Sequence, residues 1–149
     1  MKKNKEIKEL LDDLISLKTA KLLKKIGFKC YVIHNVTEYV KTQKHENPFF
    51  RMTKGELEYE RRYFANDSEA DFSNDYYKMY ALPSQAALAK WLRVVHNIHV
   101  LPQGGIDERH YCWVSSPFGG WDSNFTTKYE KAYEDGLYYA LKLIDKNSK

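Results

Sequence analysis

Residues 83–101 read PSQAALAKWLRVVHNIHVL, and this stretch decides the fold. Leu88, Trp91, Leu92 and Val95 recur at helical spacing, with Gln85, Arg93 and His96 opposite them. Ser84 can accept from the free amides of a first turn, so the spacing predicts a helix over 84–97. Asn97 tolerates the left-handed conformation that closes a helix. Ile98-His99-Val100-Leu101 then switches to strand formers with no linker between. An amphipathic helix that hands over directly to a strand has a sheet to lie on, which points to a two-layer α+β domain. By its spacing, Trp91 belongs to that core.

Toward the C-terminus, residues 103–108 form a loop around Gly104-Gly105, and a strand over 109–115 returns antiparallel. Pro117 to Asn124, with Gly119-Gly120, reads as a connecting loop. Thr127 and Glu130 have the spacing of a capping box. Beyond them Tyr129, Ala132, Tyr133, Gly136, Leu137, Ala140, Leu141 and Ile144 mark one helix face over 126–145. A glycine inside a helix costs about 1 kcal/mol relative to alanine, so Gly136 is expected where the helix approaches a sheet or second helix closely.

Toward the N-terminus, a helix is expected over 4–26. Ile7, Leu10, Leu11, Leu14 and Leu17 share one face, after which Ile15, Leu22 and Ile26 define a rotated one. The helix either runs on with a changing face or breaks near Ser16, a plausible cap. Lys24 and Lys25 suit its carbonyl end, and Gly27 the left-handed position beyond it. Strands are expected over 29–36 and 76–82. The insert 38–75 is ambiguous. Thr53 with Glu56 could cap a short helix through Leu57, Arg61 and Phe64, whereas the alternation in Glu58-Tyr59-Glu60-Arg61 suits a strand. Asn66 to Asp75 reads as an exposed polar loop. The resulting expectation is one domain, 1–149, of α+β class. It would hold a small, mostly antiparallel sheet from 29–36, 76–82, 98–102 and 109–115, with two or three helices packed mainly on one face.

Composition narrows the class. A hydrophobic share of 43% with 30% charged residues is that of a globular chain. The net charge of +4 is concentrated at the start, where residues 1–30 hold nine lysines against four acids. Such a run is either a solvated helix face or a polyanion footprint. Asp12 and Asp13 interrupt any apolar run, so no signal peptide is expected, nor any membrane span, and a cytoplasmic location follows. Cys30 and Cys112 form no disulfide or CxxC pattern. The N-x-S/T matches at Asn35, Asn66 and Asn124 are then coincidental.

Three blocks carry a resemblance. They are Lys21 to Phe28, then Pro83-Ser84-Gln85 through Trp91-Leu92-Arg93 to His96-Asn97-Ile98-His99-Val100, then Tyr129-Glu130 through Ala140-Leu141-Lys142-Leu143-Ile144. In this order they resemble a group of small proteins encoded in phages and prophages of Bacteroidetes-type bacteria. The resemblance implies a phage-encoded accessory protein made inside a bacterial host. It brings no catalytic or binding residue with it, and residues 38–75 match poorly.

The chain contains no GxGxxG, P-loop, GxSxG or HExxH signature. Three constellations are candidates for chemistry. His96, His99, His110 and Cys112 have zinc-ligand side chains near a hairpin, against which stands the reading of surface histidines and a core cysteine. Arg93, Tyr111, Trp113 and Trp121, with Tyr138 and Tyr139, form an aromatic and basic set. An open face bearing Tyr111 and Trp113 would suit stacking or peptide contact, but the last helix needs a sheet face and is expected to cover it. Trp121, beside two glycines, is the aromatic expected at a contact surface. The carboxylates Glu56, Glu58, Glu60, Asp67, Glu69, Asp71 and Asp75 lie in one polar run that reads as a solvated loop. The expectation is a non-catalytic protein without cofactor that binds a host or phage protein. The alternative is a nucleic-acid or nucleotide binder using the N-terminal lysines and Arg93.

Overall fold

The computed structural model describes residues 13–42, 53–66, 76–105 and 107–148. They form helices α1 (Leu17–Lys25), α2 (Gln85–His96) and α3 (Tyr129–Asn147). The strands are β1 (Val32–Tyr39), β2 (Leu57–Phe64), β3 (Tyr77–Ala81), β4 (His99–Gly104), β5 (His110–Ser116) and β6 (Gly119–Asp122). The class is α+β. The strands, however, divide between two antiparallel sheets, ordered β2-β1-β3 and β4-β5-β6, where the sequence suggested one. Two strands outside the single expected sheet account for this, one of them the strand alternative left open at Glu58-Tyr59-Glu60-Arg61. β2 arises in the ambiguous insert, and β6 lies in what read as a loop. Each gives a neighbouring strand a local partner, and local pairing closes a shorter loop than a distant one. The described chain falls into two compact units, Gly27–Pro83 and the segments on either side of it.

In the Gly27–Pro83 unit, β1 is central, so Val36 is fully buried between Tyr59 of β2 and Tyr80 of β3 in register. The residues Thr53 and Glu56 do interact, since the Thr53 amide donates to Glu56 Oε2 at 3.2 Å. They close a turn into β2 rather than open a helix, because Gly55 at φ +89 turns the chain out of helical geometry. Asn66, expected in an exposed loop, is buried. Its Nδ2 donates to the Phe28 carbonyl at 3.0 Å and its Oδ1 accepts from the Ala81 amide at 3.0 Å, tying both ends of the unit to its third strand. The rest of that expected loop, 67–75, lies outside the described residues.

In the second unit, Ser16 caps α1 and accepts from the Thr19 amide at 3.2 Å. The break near Ser16 is therefore the form observed: Leu14 is extended and bridges Ser84. Residues 4–12 lie outside the described residues. Ser84 caps α2 through the Ala87 amide at 3.1 Å, and Asn97 ends it at φ 53, both as the sequence indicated. The buried side of α2 is rotated from the expected one. Gln85 is buried with Leu88, Ala89 and Leu92, while Val95 is 58% exposed and Trp91 only half-buried. The cause is Glu134 of α3. Its carboxylate accepts from the Ser16 amide at 2.8 Å, from Thr19 Oγ1 at 2.5 Å and from Gln85 Nε2 at 3.2 Å. Gln85 Nε2 also donates to the Glu130 carbonyl at 2.8 Å. One acidic side chain thus joins three helices and draws a polar residue inward, its hydrogen-bonding needs met. The Thr127–Glu130 capping box does not form: α3 starts after Lys128 with no side-chain cap.

Helix α3 crosses β4 and β5, burying Ala132, Gly136, Leu137, Ala140 and Leu141. Among the described residues no helix is long and apolar enough to cross a membrane.

Candidate functional site

The chemistry of the second sheet follows from which side of β5 faces α3. Side chains alternate along a strand, so Cys112 and Val114 share one face while Tyr111 and Trp113 share the other. Both Cys112 and Val114 are fully buried. A Cβ built on Gly136 would collide with Cys112 Sγ and stand 2.9 Å from Cys112 Cβ and 3.1 Å from Val100 Cγ1. The helix therefore covers the cysteine face, and the glycine makes this close approach possible, as expected of it.

Tyr111 and Trp113 are left on the face turned away from α3, contrary to the expectation that α3 would bury them. Leu101 is the register partner of Trp113 on β4, and Asp122 its partner on β6. Trp113 is 40% exposed and Leu101 39%. Phe125, 66% exposed, packs edge-on to Tyr111 with ring centroids 5.4 Å apart. Leu101, Trp113, half-buried Tyr111 and Phe125 thus lie on one face of the sheet, with Gln103 and Asp122 as register partners of Tyr111 and Trp113. Alternation carried the signal for Leu101 and Trp113. Phe125 joins only because the chain after β6 runs back along β5, with His110 and Thr126 exchanging backbone hydrogen bonds of 2.8 and 2.7 Å.

The rest of the aromatic and basic set lies elsewhere. Trp121 pairs with Val114 on the helix-facing side and stacks on Tyr139 of α3, centroids 4.1 Å apart and planes within 10°. Trp121, Asn124, Asp135, Tyr138, Tyr139 and Lys142 line a groove of about 360 Å³ there. Lys18 Nζ stands 4.2 Å from the Tyr138 ring centroid and Lys142 Nζ 5.6 Å from it. Arg93 is exposed on α2, and its charge works against the burial that raises the pKa of Tyr133. It joins neither Trp113 nor Trp121.

The four zinc-type side chains are likewise separated. His99 pairs with Ser115 and so shares the Trp113 face, whereas His110 shares the Cys112 face. His96 packs edge-on to Trp91 at 4.7 Å, and burial lowers its pKa. Burial pushes the Cys112 thiol up to about 12, far from the thiolate a metal needs. No group of three or more His, Cys, Asp or Glu among the described residues is placed to hold a metal ion.

Of the carboxylates, Glu58 and Glu60 lie on one face of β2 beside Tyr39, Tyr77 and Met79, around a hollow of about 280 Å³. This is not the solvated loop expected. Each already has a partner: the Tyr39 hydroxyl donates to Glu58 at 2.7 Å, and Arg62 Nε meets Glu60 at 3.0 Å. Burial, the Glu58 hydrogen bond and the surrounding negative charge raise Tyr39 to about 12, so the phenol stays protonated at neutral pH. Asp67, Glu69, Asp71 and Asp75 lie outside the described residues.

The chain matches no protein-family model, no curated protein and no solved structure.

Proposed function

We propose that this chain is a phage- or prophage-encoded accessory protein that binds another protein, of host or phage, inside the bacterial cell and without catalysis of its own. The reading rests on the exposed side chains of Leu101, Trp113 and Phe125 on one sheet face, with half-buried Tyr111 packed against Phe125. A sheet face that carries apolar side chains is normally covered, and an aromatic patch left open is the mark of an interaction surface. Tryptophan and tyrosine dominate the energetics of such interfaces because they bury large rigid area around a polar tip. The complementary partner surface is apolar with a cationic group at its border, opposite Asp122.

The test is affinity capture from infected cells with wild-type protein and with Trp113→Ala and Phe125→Ala. A partner retained by wild type and lost from both variants, each still folded by circular dichroism, is the expected result. The same partners on all three baits, or none on wild type, would remove the sheet face as the binding surface.

A further inference from the structure

We infer that the groove between β6 and α3 is a second binding site, for a nucleobase carrying its phosphate. It lies on the opposite side of the sheet from the Trp113 surface and does not depend on the function proposed for that surface.

The groove has an aromatic part and a cationic part. Trp121 and Tyr139 are stacked face to face, and both are half-buried, so the pair is a fixed flat wall rather than two mobile rings. Tyr138 adds a third ring to the lining. The two rings cover each other's inner faces, so a planar heterocycle would stack on an outer face of the pair, which suits any base since every base has a π-face. Asn124, exposed at the rim, offers both a donor and an acceptor to a base edge. At about 360 Å³ the hollow is in the range of small-molecule sites.

Charge selects the kind of heterocycle. Asp135 is the acid in the lining, and Lys131 holds it at 2.7 Å. Lys18 and Lys142 crowd the Tyr138 ring from α1 and α3, and neither is in an ion pair with a carboxylate of the described residues. Lys142 lines the groove and Lys18 stands over the Tyr138 ring, so their two ammonium groups make that end positive and favour an anion there. A phosphate fits this role as the acceptor of several point-charge donors. The stacked wall and the lysine pair thus address the two ends of one ligand, a nucleotide. Free nucleotides and single strands present the same base and phosphate, and only their lengths distinguish them here.

The experiment uses the full chain at low salt. Adenosine 5′-monophosphate, adenosine, inorganic phosphate and a short oligothymidylate are titrated separately, following tryptophan fluorescence and heat. Saturable binding of the nucleotide, with adenosine and phosphate each weaker by about tenfold or more, is expected if both ends are recognised. Lys142→Glu and Lys18→Glu should each weaken it by about tenfold at low salt, while Trp113→Ala leaves it unchanged. If the oligonucleotide binds more tightly than the mononucleotide, the natural ligand is a single strand; equal affinity assigns it to the free nucleotide. Absence of saturable binding by both, or binding that survives both lysine substitutions, overturns the site. The neutrality of Trp113→Ala separates this outcome from failure of the protein-docking reading.

Discussion

Gly136 and Cys112 face each other where α3 crosses β5, so closely that one added methyl would strike the cysteine sulfur. Their contact decides which side of the second sheet is core and which is surface.

Gly136→Ala is therefore expected to destabilise, although alanine is the better helix former by about 1 kcal/mol. The added Cβ cannot be accommodated without moving α3 away from Cys112 and Val100. Overpacking of this kind costs about 1–3 kcal/mol, measurable as a lower urea midpoint. An unchanged or higher midpoint would mean that the helix does not lie this close.

The two cysteines should differ sharply in reactivity. Cys30 is exposed and Cys112 fully buried, with its thiol pushed up to about 12. Ellman's reagent should label one thiol per chain in the native protein and both in denaturant. Rapid labelling of both under native conditions would contradict the packing of α3.

Glu134→Ala should be among the more damaging changes at a partly exposed position. It removes the acceptor for the Ser16 amide, Thr19 Oγ1 and the Gln85 amide together. Hydrogen bonds to a charged group are worth about 1.5–3 kcal/mol, and a loss of that order is expected in chemical denaturation. Glu134→Gln, which keeps an acceptor oxygen, should recover part of it.

Asn35 sits at 0% exposure in the central strand of the first sheet, with neither Oδ1 nor Nδ2 hydrogen-bonded to any described residue. Asn35→Val removes that unmet desolvation and adds a β-branched residue to a strand. A gain of about 1–3 kcal/mol in unfolding free energy is expected. A loss instead would show that the amide has a structural partner.

Acid should weaken the fold partly through His96. Burial holds its pKa below the ordinary 6.5, so below that pH the unfolded chain takes up the proton more readily than the folded one. Its contribution is complete above 6.5 and is lost as the pH falls. Wild type should lose melting temperature between neutral and acidic pH more steeply than His96→Gln. Parallel profiles would remove His96 from the account.

Much of the fold was legible because it is encoded locally. Ser84 and Asn97 bound α2 through backbone geometry that neighbouring residues dictate, and Gly136 marked a close approach because nothing else justifies glycine in mid-helix. The failures have the opposite character. Thr53 and Glu56 meet as a capping box would, but Gly55 makes the structure a turn. Thr127 and Glu130 have the right spacing and make no cap. Gln85 looked like a solvent residue until Glu134, far along the chain, supplied its partner.

The two candidate surfaces were legible only in part. Alternation joined Tyr111 to Trp113, but Trp121, expected in a loop at a contact surface, lies in β6 half-buried against Tyr139. Which face α3 would cover could not be read from alternation, because both faces of β5 carry residues that could serve as core. Nor could Phe125, Lys18 and Lys142 be assigned to these surfaces, since each reaches its place through a contact between separate elements.

By itself, then, the sequence determined the α+β class, the limits of α2 and the presence of a patterned final helix, because periodicity and capping act over a few residues. The tertiary structure alone decided that the six strands of the described residues make two sheets, that Arg93 stands apart from Trp113 and Trp121, and that Trp113 is surface while Cys112 is core. Those outcomes depend on which of two chemically acceptable faces packs better, and packing is settled between segments far apart in the chain.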